Sequence, residues 1–238
     1  MQKLELVIDV LKTFNKNGIL DDLVLIGSWT HFFYRIHFDD APEIPAVRTL
    51  DIDFLVPNPR AIKKEVNIGD VLKKLNFTSR REMYSGIEKF GHPDLDLEFL
   101  SPLLSAGVDI ARPIPKLKTH AVGLRYLEML AWNTITVKHK SLMVNVPEPS
   151  AYVLHKFLIS AMRFKEEKRK KDQDSALKMA TFLLKQPEQK DRLQKVFESM
   201  FIKWRKKVLK VIEEVHPELA TFLKPHINNP RVGWRFEK

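Results

Sequence analysis

The sequence predicts an α+β unit followed by an all-helical one. Three observations carry this. Residues 50–56 and 95–100 alternate apolar and acidic side chains, the period-2 signature of a strand with one face on a core. Pro147-Glu148-Pro149 then interrupts the chain with two rigid residues. Beyond it, apolar residues recur at helical spacing to the end. The expected domains are 1–148 and 149–238.

In chain order, Leu4, Val7, Ile8, Leu11 and Phe14 form one apolar stripe, so residues 3–16 read as a helix, stopped by Asn17-Gly18. Residues 23–26 read as a short buried strand and 28–37 as an aromatic-rich helix. Residues 38–47 hold two prolines and three acids, a loop insertion. The strand 50–56 ends at Pro57-Asn58-Pro59, and 61–75 reads as a helix. Residues 77–84 and 87–90 fit a hairpin across Ser85-Gly86. In 95–100, Leu95, Leu97 and Phe99 share one face, and Asp94, Asp96 and Glu98 the other. Short strands follow at 134–137 and 142–146, then helices at 150–164, 172–185, 188–214 and 217–223.

The chain has 238 residues and no cysteine, which excludes disulfides, thiolate metal sites and cysteine nucleophiles. Its 44% apolar share suffices for a real core. The opening segment MQKLELVIDVLKTF carries charges throughout and reads as an amphipathic helix, not a signal peptide. No stretch reaches the ~18–20 uncharged apolar residues of a membrane span, so a cytoplasmic protein with no membrane partner is expected. The net charge of +10 is unevenly placed. Residues 1–150 hold 19 Lys and Arg against 19 Asp and Glu, whereas 151–238 hold 21 against 11. A solvated basic surface explains such a run taken alone. Beside a metal-type acidic pair, a polyanionic partner becomes the better reading.

That acidic pair is Asp51 and Asp53. Two residues apart on a strand, they project from one face, opposite Leu50, Ile52 and Phe54. Crowded carboxylates repel unless a cation sits between them, and hard oxygen ligands select Mg²⁺ or Mn²⁺. A plain solvent-facing strand is the alternative, but Asp is disfavoured in strands, so two of them ask for a reason. Upstream, Gly27-Ser28 precedes a helix. Glycine admits close backbone approach, and serine either caps the helix or binds a phosphate. Asp96, or Glu98 in its place, adds a third carboxylate if 95–100 lies beside 50–56. Three acids can hold two divalent ions ~3.5–4 Å apart; an ordinary polar strand face is the other account.

In the helical part, Lys156 sits in the apolar run 152–158, and Arg163 follows two turns along the same face. The two can clamp a triphosphate as point charge and fork. Asp172 and Asp174 close a basic run. Asp172 either orients Lys156 or caps the next helix.

The ordered set Gly27-Ser28, Asp51-Ile52-Asp53 and a later acidic strand at Asp96 resembles the nucleotidyltransferase superfamily related to DNA polymerase β. Val146-Pro147, a helix with Lys156 and Arg163, and the run Lys170-Lys171-Asp172 resemble the bacterial AbiEii and MenA toxin-type enzymes and related nucleotidyltransferase-domain proteins. The resemblance spans residues 20–185. It implies a nucleotidyltransferase-like mixed β-sheet with flanking helices, followed by an all-helical domain. It implies that Asp51 and Asp53 bind metal and that Lys156 and Asp172 are essential to activity. Ser28 and Asp51 are further apart than is usual in the superfamily, by the 38–47 insertion.

The implied activity is transfer of a nucleoside monophosphate from a nucleoside triphosphate, ATP among the candidates, to an acceptor hydroxyl. The cofactor is Mg²⁺ or Mn²⁺, with Asp51, Asp53 and Asp96 as its ligands. Phosphates lie at Gly27 and Ser28, with Lys156 and Arg163 in support. The acceptor is open: the basic half favours RNA, a tRNA 3′ end by the toxin-type likeness, with salt-sensitive binding, and a small molecule or a protein hydroxyl is the alternative. The toxin-type likeness adds an inhibitory protein partner, for which Phe222, Trp234 and Phe236 are candidate contacts. The rival class is a non-catalytic nucleic-acid-binding or regulatory module on the same fold, which would lack metal-dependent triphosphate binding.

Overall fold

The computed structural model describes residues 2–43, 51–81, 86–103 and 111–231. The chain divides into two compact units. One is Met1–His37 with Pro45–Pro147, the other Phe38–Ile44 with Glu148–Lys238.

The first unit opens with α1 (Gln2–Lys16), whose buried stripe is Val7, Val10, Leu11 and Phe14. That is the i, i+3, i+4, i+7 spacing of one helix face, so Val10 rather than Ile8 completes it. After β1 (Val24–Ile26) a 3₁₀ turn, Gly27–Trp29, leads into α2 (Thr30–His37). Then come β2 (Asp51–Leu55), α3 (Ile68–Lys73), β3 (Thr78–Arg81), β4 (Glu88–Gly91), β5 (Asp96–Pro102), β6 (Ala111–Ile114), β7 (Thr119–Leu124) and α4 (Glu128–Trp132). A separate hairpin, β8 (Thr134–His139) with β9 (Leu142–Pro147), ends the unit.

The main sheet runs β1-β2-β5-β4-β3, with β7 also on β5 and β6 on β7. β5 is its centre. It pairs in parallel with β2, antiparallel with β4 through residues 96–98, and in parallel with β7 through 100–102. Period 2 then decides what each face carries. Ile52, Phe54, Leu97 and Phe99 are fully buried on one side. Phe14 of α1 packs there, its ring 5.0 Å from Phe54 and 6.2 Å from Phe99. The acids of both strands take the opposite side.

Two expectations for this unit need correction. The helix expected over 61–75 is only Ile68–Lys73. The Val66 amide already donates to Lys116 O at 2.7 Å, and the Asn67 side chain caps the helix by accepting from the Asp70 amide. β6 and β7 lie in the stretch 102–148, where the sequence signals strands only at 134–137 and 142–146. Pro113 masks β6, which among the described residues pairs with β7 alone, as an edge strand where proline is tolerated. β7 buries a face of Thr119, Ala121 and Gly123, too small to show as apolar alternation, with His120 and Leu124 half-buried on the other. In the hairpin of β3 and β4, residues 82–85 lie outside the described residues, as does Leu50.

The second unit consists of α5 (Pro149–Ser160), α6 (Glu166–Lys185), α7 (Pro187–Ser199), α8 (Ile202–Val215) and α9 (Pro217–Leu223). The single helix expected over 188–214 is broken after Ser199. The cause is Arg205, whose side chain is fully buried. Its guanidinium donates to Glu198 O and, at 3.0 Å, to Met200 O, satisfying carbonyls that the end of α7 leaves open. It also reaches Asn229 O at 2.6 Å, tying down the segment after α9. Phe38, from the expected insertion, packs its ring 5.7 Å from Phe182 of α6. Residues 44–47 of that insertion lie outside the described residues.

Candidate active site

Asp51 and Asp53 stand on the polar face of β2, Asp51 exposed and Asp53 half-buried. The Gly27 turn is built against them. Ile26 pairs with Asp53 in the β1–β2 register, and the chain turns at once, with Gly27 at φ +77°. A Cβ on Gly27 would lie 2.7 Å from Asp53 Oδ2. Only glycine allows both that backbone and that approach. The Trp29 indole N–H donates to Asp51 O at 3.1 Å, fixing the start of α2 to the same strand. Thr30 Oγ1 donates to Gly27 O at 2.8 Å. Ser28 does not cap the helix: among the described residues its hydroxyl makes no hydrogen bond. Trp29 was missed in the sequence, although an aromatic directly after Gly-Ser was its visible signal.

The parallel register sets Asp96 opposite Asp51 and Glu98 opposite Asp53, so all four acids share one face. Glu98 is engaged by Lys89 of β4, Nζ to Oε1 2.6 Å. Asp96 has no ion pair among the described residues. Lys89 was not singled out in the sequence. Its signal was the hairpin, which places it opposite Glu98.

Among the described residues no group of three or more His, Asp and Glu is gathered closely enough to hold a metal ion. Mg²⁺ does not require such a cage. It is typically held by one or two carboxylates and completed by water and substrate phosphates. A same-face Asp pair beside a glycine turn fits that mode, with Asp51 and Asp53 as the protein's share.

The second unit gathers Lys156, Arg163 and Asp172. Asp172 lies inside α6, not at its start, so the helix-cap reading is wrong. Its carboxylate is buried and accepts from Lys156 Nζ at 2.6 Å and from Arg163 Nε at 3.0 Å. Arg163 is not two turns along one helix from Lys156. α5 ends at Ser160, and Arg163 reaches Asp172 from the connecting turn. Burial pushes the Asp172 carboxyl up, but Lys156 and Arg163 outweigh it and hold it below the usual range. Burial likewise pulls Lys156 down, yet Tyr152 and Asp172 raise it above an ordinary lysine, so it stays charged. Its Nζ lies 5.7 Å from the Tyr152 ring centre. Next to it, burial and the Lys156 charge push the His155 imidazole down to about 3, and it is neutral.

Of the tail aromatics, Phe222 meets the Lys190 ammonium 4.8 Å from its ring centre. Trp234 and Phe236 lie outside the described residues. No helix among the described residues is long and apolar enough to cross a membrane.

Comparison with known proteins accords with this arrangement. A nucleotidyltransferase family model matches residues 5–202. No curated protein matches the chain. Among solved structures, it is similar to an antigenic nucleotidyltransferase-like protein from Paracoccidioides brasiliensis, at 15% identity and TM-score 0.52 over 92% of both chains. It also aligns with the antibiotic-resistance factor ANT(2'')-Ia, at 12% identity and TM-score 0.44 over 94% of this chain and 97% of that one. The first likeness shows a common fold. The family match covers both the Gly27–Asp53 unit and the Lys156–Asp172 pair, and on it the chain belongs to the nucleotidyltransferase family, as an enzyme that transfers a nucleoside monophosphate from a nucleoside triphosphate.

Proposed function

We propose that the transfer is metal-dependent and that the acceptor is the hydroxyl at an RNA 3′ end, a tRNA among the candidates. The observation that carries the site assignment is the Gly27 turn, pressed so close to Asp53 that a single added carbon would collide with the carboxylate. Gly27 and Ser28 would seat the triphosphate on backbone N–H groups at the start of α2, with the uncommitted Ser28 hydroxyl as a further donor. Asp51 and Asp53 would hold Mg²⁺ or Mn²⁺, with Asp96 rather than the Lys89-bound Glu98 as third carboxylate. A bound divalent ion would neutralise phosphate charge and orient the α-phosphorus. The acceptor oxygen forms a bond to that phosphorus as its bond to the pyrophosphate oxygen breaks. The acceptor's proton would leave to a nearby carboxylate, Asp96 being the candidate from its register opposite Asp51. In the second unit, Asp172 would orient Lys156 and Arg163, the cations expected to support catalysis. The charge excess in 151–238 supports a polyanionic acceptor. The toxin-type likeness adds an inhibitory partner protein to this reading.

The test incubates the protein with each labelled nucleoside triphosphate, Mg²⁺ or Mn²⁺, and total RNA. Label on RNA, lost on chelation and in an Asp51→Asn/Asp53→Asn variant that keeps its circular dichroism spectrum, is the expected result. Label on a protein or small molecule instead would remove the RNA acceptor. Undiminished turnover in the double variant would remove the site.

A further inference from the structure

The second unit carries a cavity of about 620 Å³ between the first half of α6 and α8, over the end of α5. The volume falls within the ~300–1,000 Å³ of ligand sites. α5 packs against both α6 and α8 and so spaces them apart. Met162, Val211 and Val215 give its lining an apolar share. The walls carry four exposed cations, Arg169 and Lys170 from α6 and Lys207 and Lys210 from α8. Two carboxylates, Glu166 and Glu214, also line it, and Glu166 is paired with Lys170 at 3.1 Å. Phe164 stands on the turn between Met162 and Glu166, its side chain wholly exposed at 103%. Phe164 does not line the cavity itself, but it lies two residues from Met162 and from Glu166, which do, and its exposed ring is free to stack.

We propose that this furrow binds the single-stranded end of an RNA, with its cations on the phosphates, its apolar lining residues against the bases, and Phe164 stacked on one of them. Single-stranded nucleic-acid sites combine a basic groove with exposed aromatics in this way. An acidic polypeptide would satisfy the cations but give the ring no planar partner. The proposal rests on the RNA-acceptor reading and names the surface that holds the acceptor.

The test measures fluorescence anisotropy of a single-stranded RNA of about 12 nucleotides against the full-length protein. Lys207→Glu/Lys210→Glu should weaken binding by more than about tenfold and flatten its salt dependence. Phe164→Ala should weaken it about tenfold for the single strand and leave duplex RNA unaffected, since stacked bases offer no free face. These side chains are exposed, so the fold is not at risk, and circular dichroism checks this. Affinities within twofold of wild type in both variants would overturn the proposal. So would displacement of the RNA by a polyglutamate peptide of equal charge at equal concentration. The two readings fail separately. Wild-type protein that labels no RNA removes the acceptor reading. Wild-type labelling with an unchanged RNA KM in the Lys207→Glu/Lys210→Glu variant removes the furrow alone.

Discussion

Asp172 in the second unit is buried, and both its oxygens are taken by cations of its own unit, Lys156 at 2.6 Å and Arg163 at 3.0 Å. Asp51 in the first unit is exposed on a sheet face, with no cation beside it among the described residues. Both are aspartates flagged by sequence spacing, yet their surroundings differ in kind. A carboxylate neutralised from within can orient its partners and hold helices together, but it has little charge left for a metal ion. A carboxylate meant for an exogenous ion must be left uncompensated by the protein. The same contrast separates Glu98, bound to Lys89, from Asp96, which has no ion pair among the described residues.

The most severe way to break this comparison is Asp51→Asn/Asp53→Asn. Transfer should drop by about 10³-fold or more, while urea unfolding stays near wild type. A large stability loss would mean that the pair is structural after all. Asp172→Asn should differ by also costing about 3 kcal/mol of stability, because it leaves Lys156 uncompensated; a shifted urea midpoint measures it. Arg163 is too exposed to add much to that figure.

Gly27→Ala sharpens the comparison within the first unit. The left-handed backbone costs alanine about 1–2 kcal/mol, and the new methyl must also displace Asp53. Gly86→Ala is the control. It has a similar φ of +68°, but its Cβ would meet Ala111 at an ordinary 3.5 Å. Both variants should bear the backbone cost, Gly27→Ala the larger total, and only Gly27→Ala should lose transfer activity. Next in size, Asp96→Asn should slow transfer more than Glu98→Gln does, and steady-state kcat compares them directly.

The smallest effect is in pH. The Asp172 carboxyl is depressed in the folded state, so its contribution to stability is complete above the unfolded value of about 3.9 and is lost as pH falls through the folded one. Lys156 is raised, so its contribution holds below the unfolded value and is lost as pH rises through the folded one. Urea titrations across the acid range should show a limb that Asp172→Asn flattens.

Much of the first unit was legible because its signals are local. Alternation in 50–56 and 95–100 reflects a sheet with one apolar face, and Asn17-Gly18 stops α1 through backbone chemistry alone. β7 escaped because its buried face carries Thr119, Ala121 and Gly123 rather than large apolar side chains, and β6 because an edge strand tolerates Pro113. The break between α7 and α8 was hidden for another reason. Its cause is Arg205, five residues beyond the Met200 carbonyl to which it donates and tied also to the C-terminal segment at Asn229 O. At the candidate site, the type and spacing of Gly27, Ser28, Asp51 and Asp53 were readable, since two residues on one strand must share a face.

The sequence by itself determined which carboxylates could act together along one strand and where the positive charge accumulates, because strand period and composition need no partner. Only the tertiary structure decided which acids meet across strands and which are neutralised. The β2–β5 register set Asp96 beside Asp51, and the β4–β5 pairing delivered Lys89 to Glu98. It also decided that Asp172 sits within α6 between two cations rather than at a helix cap. Those outcomes depend on residues distant in sequence arriving within hydrogen-bonding distance, which no local pattern encodes.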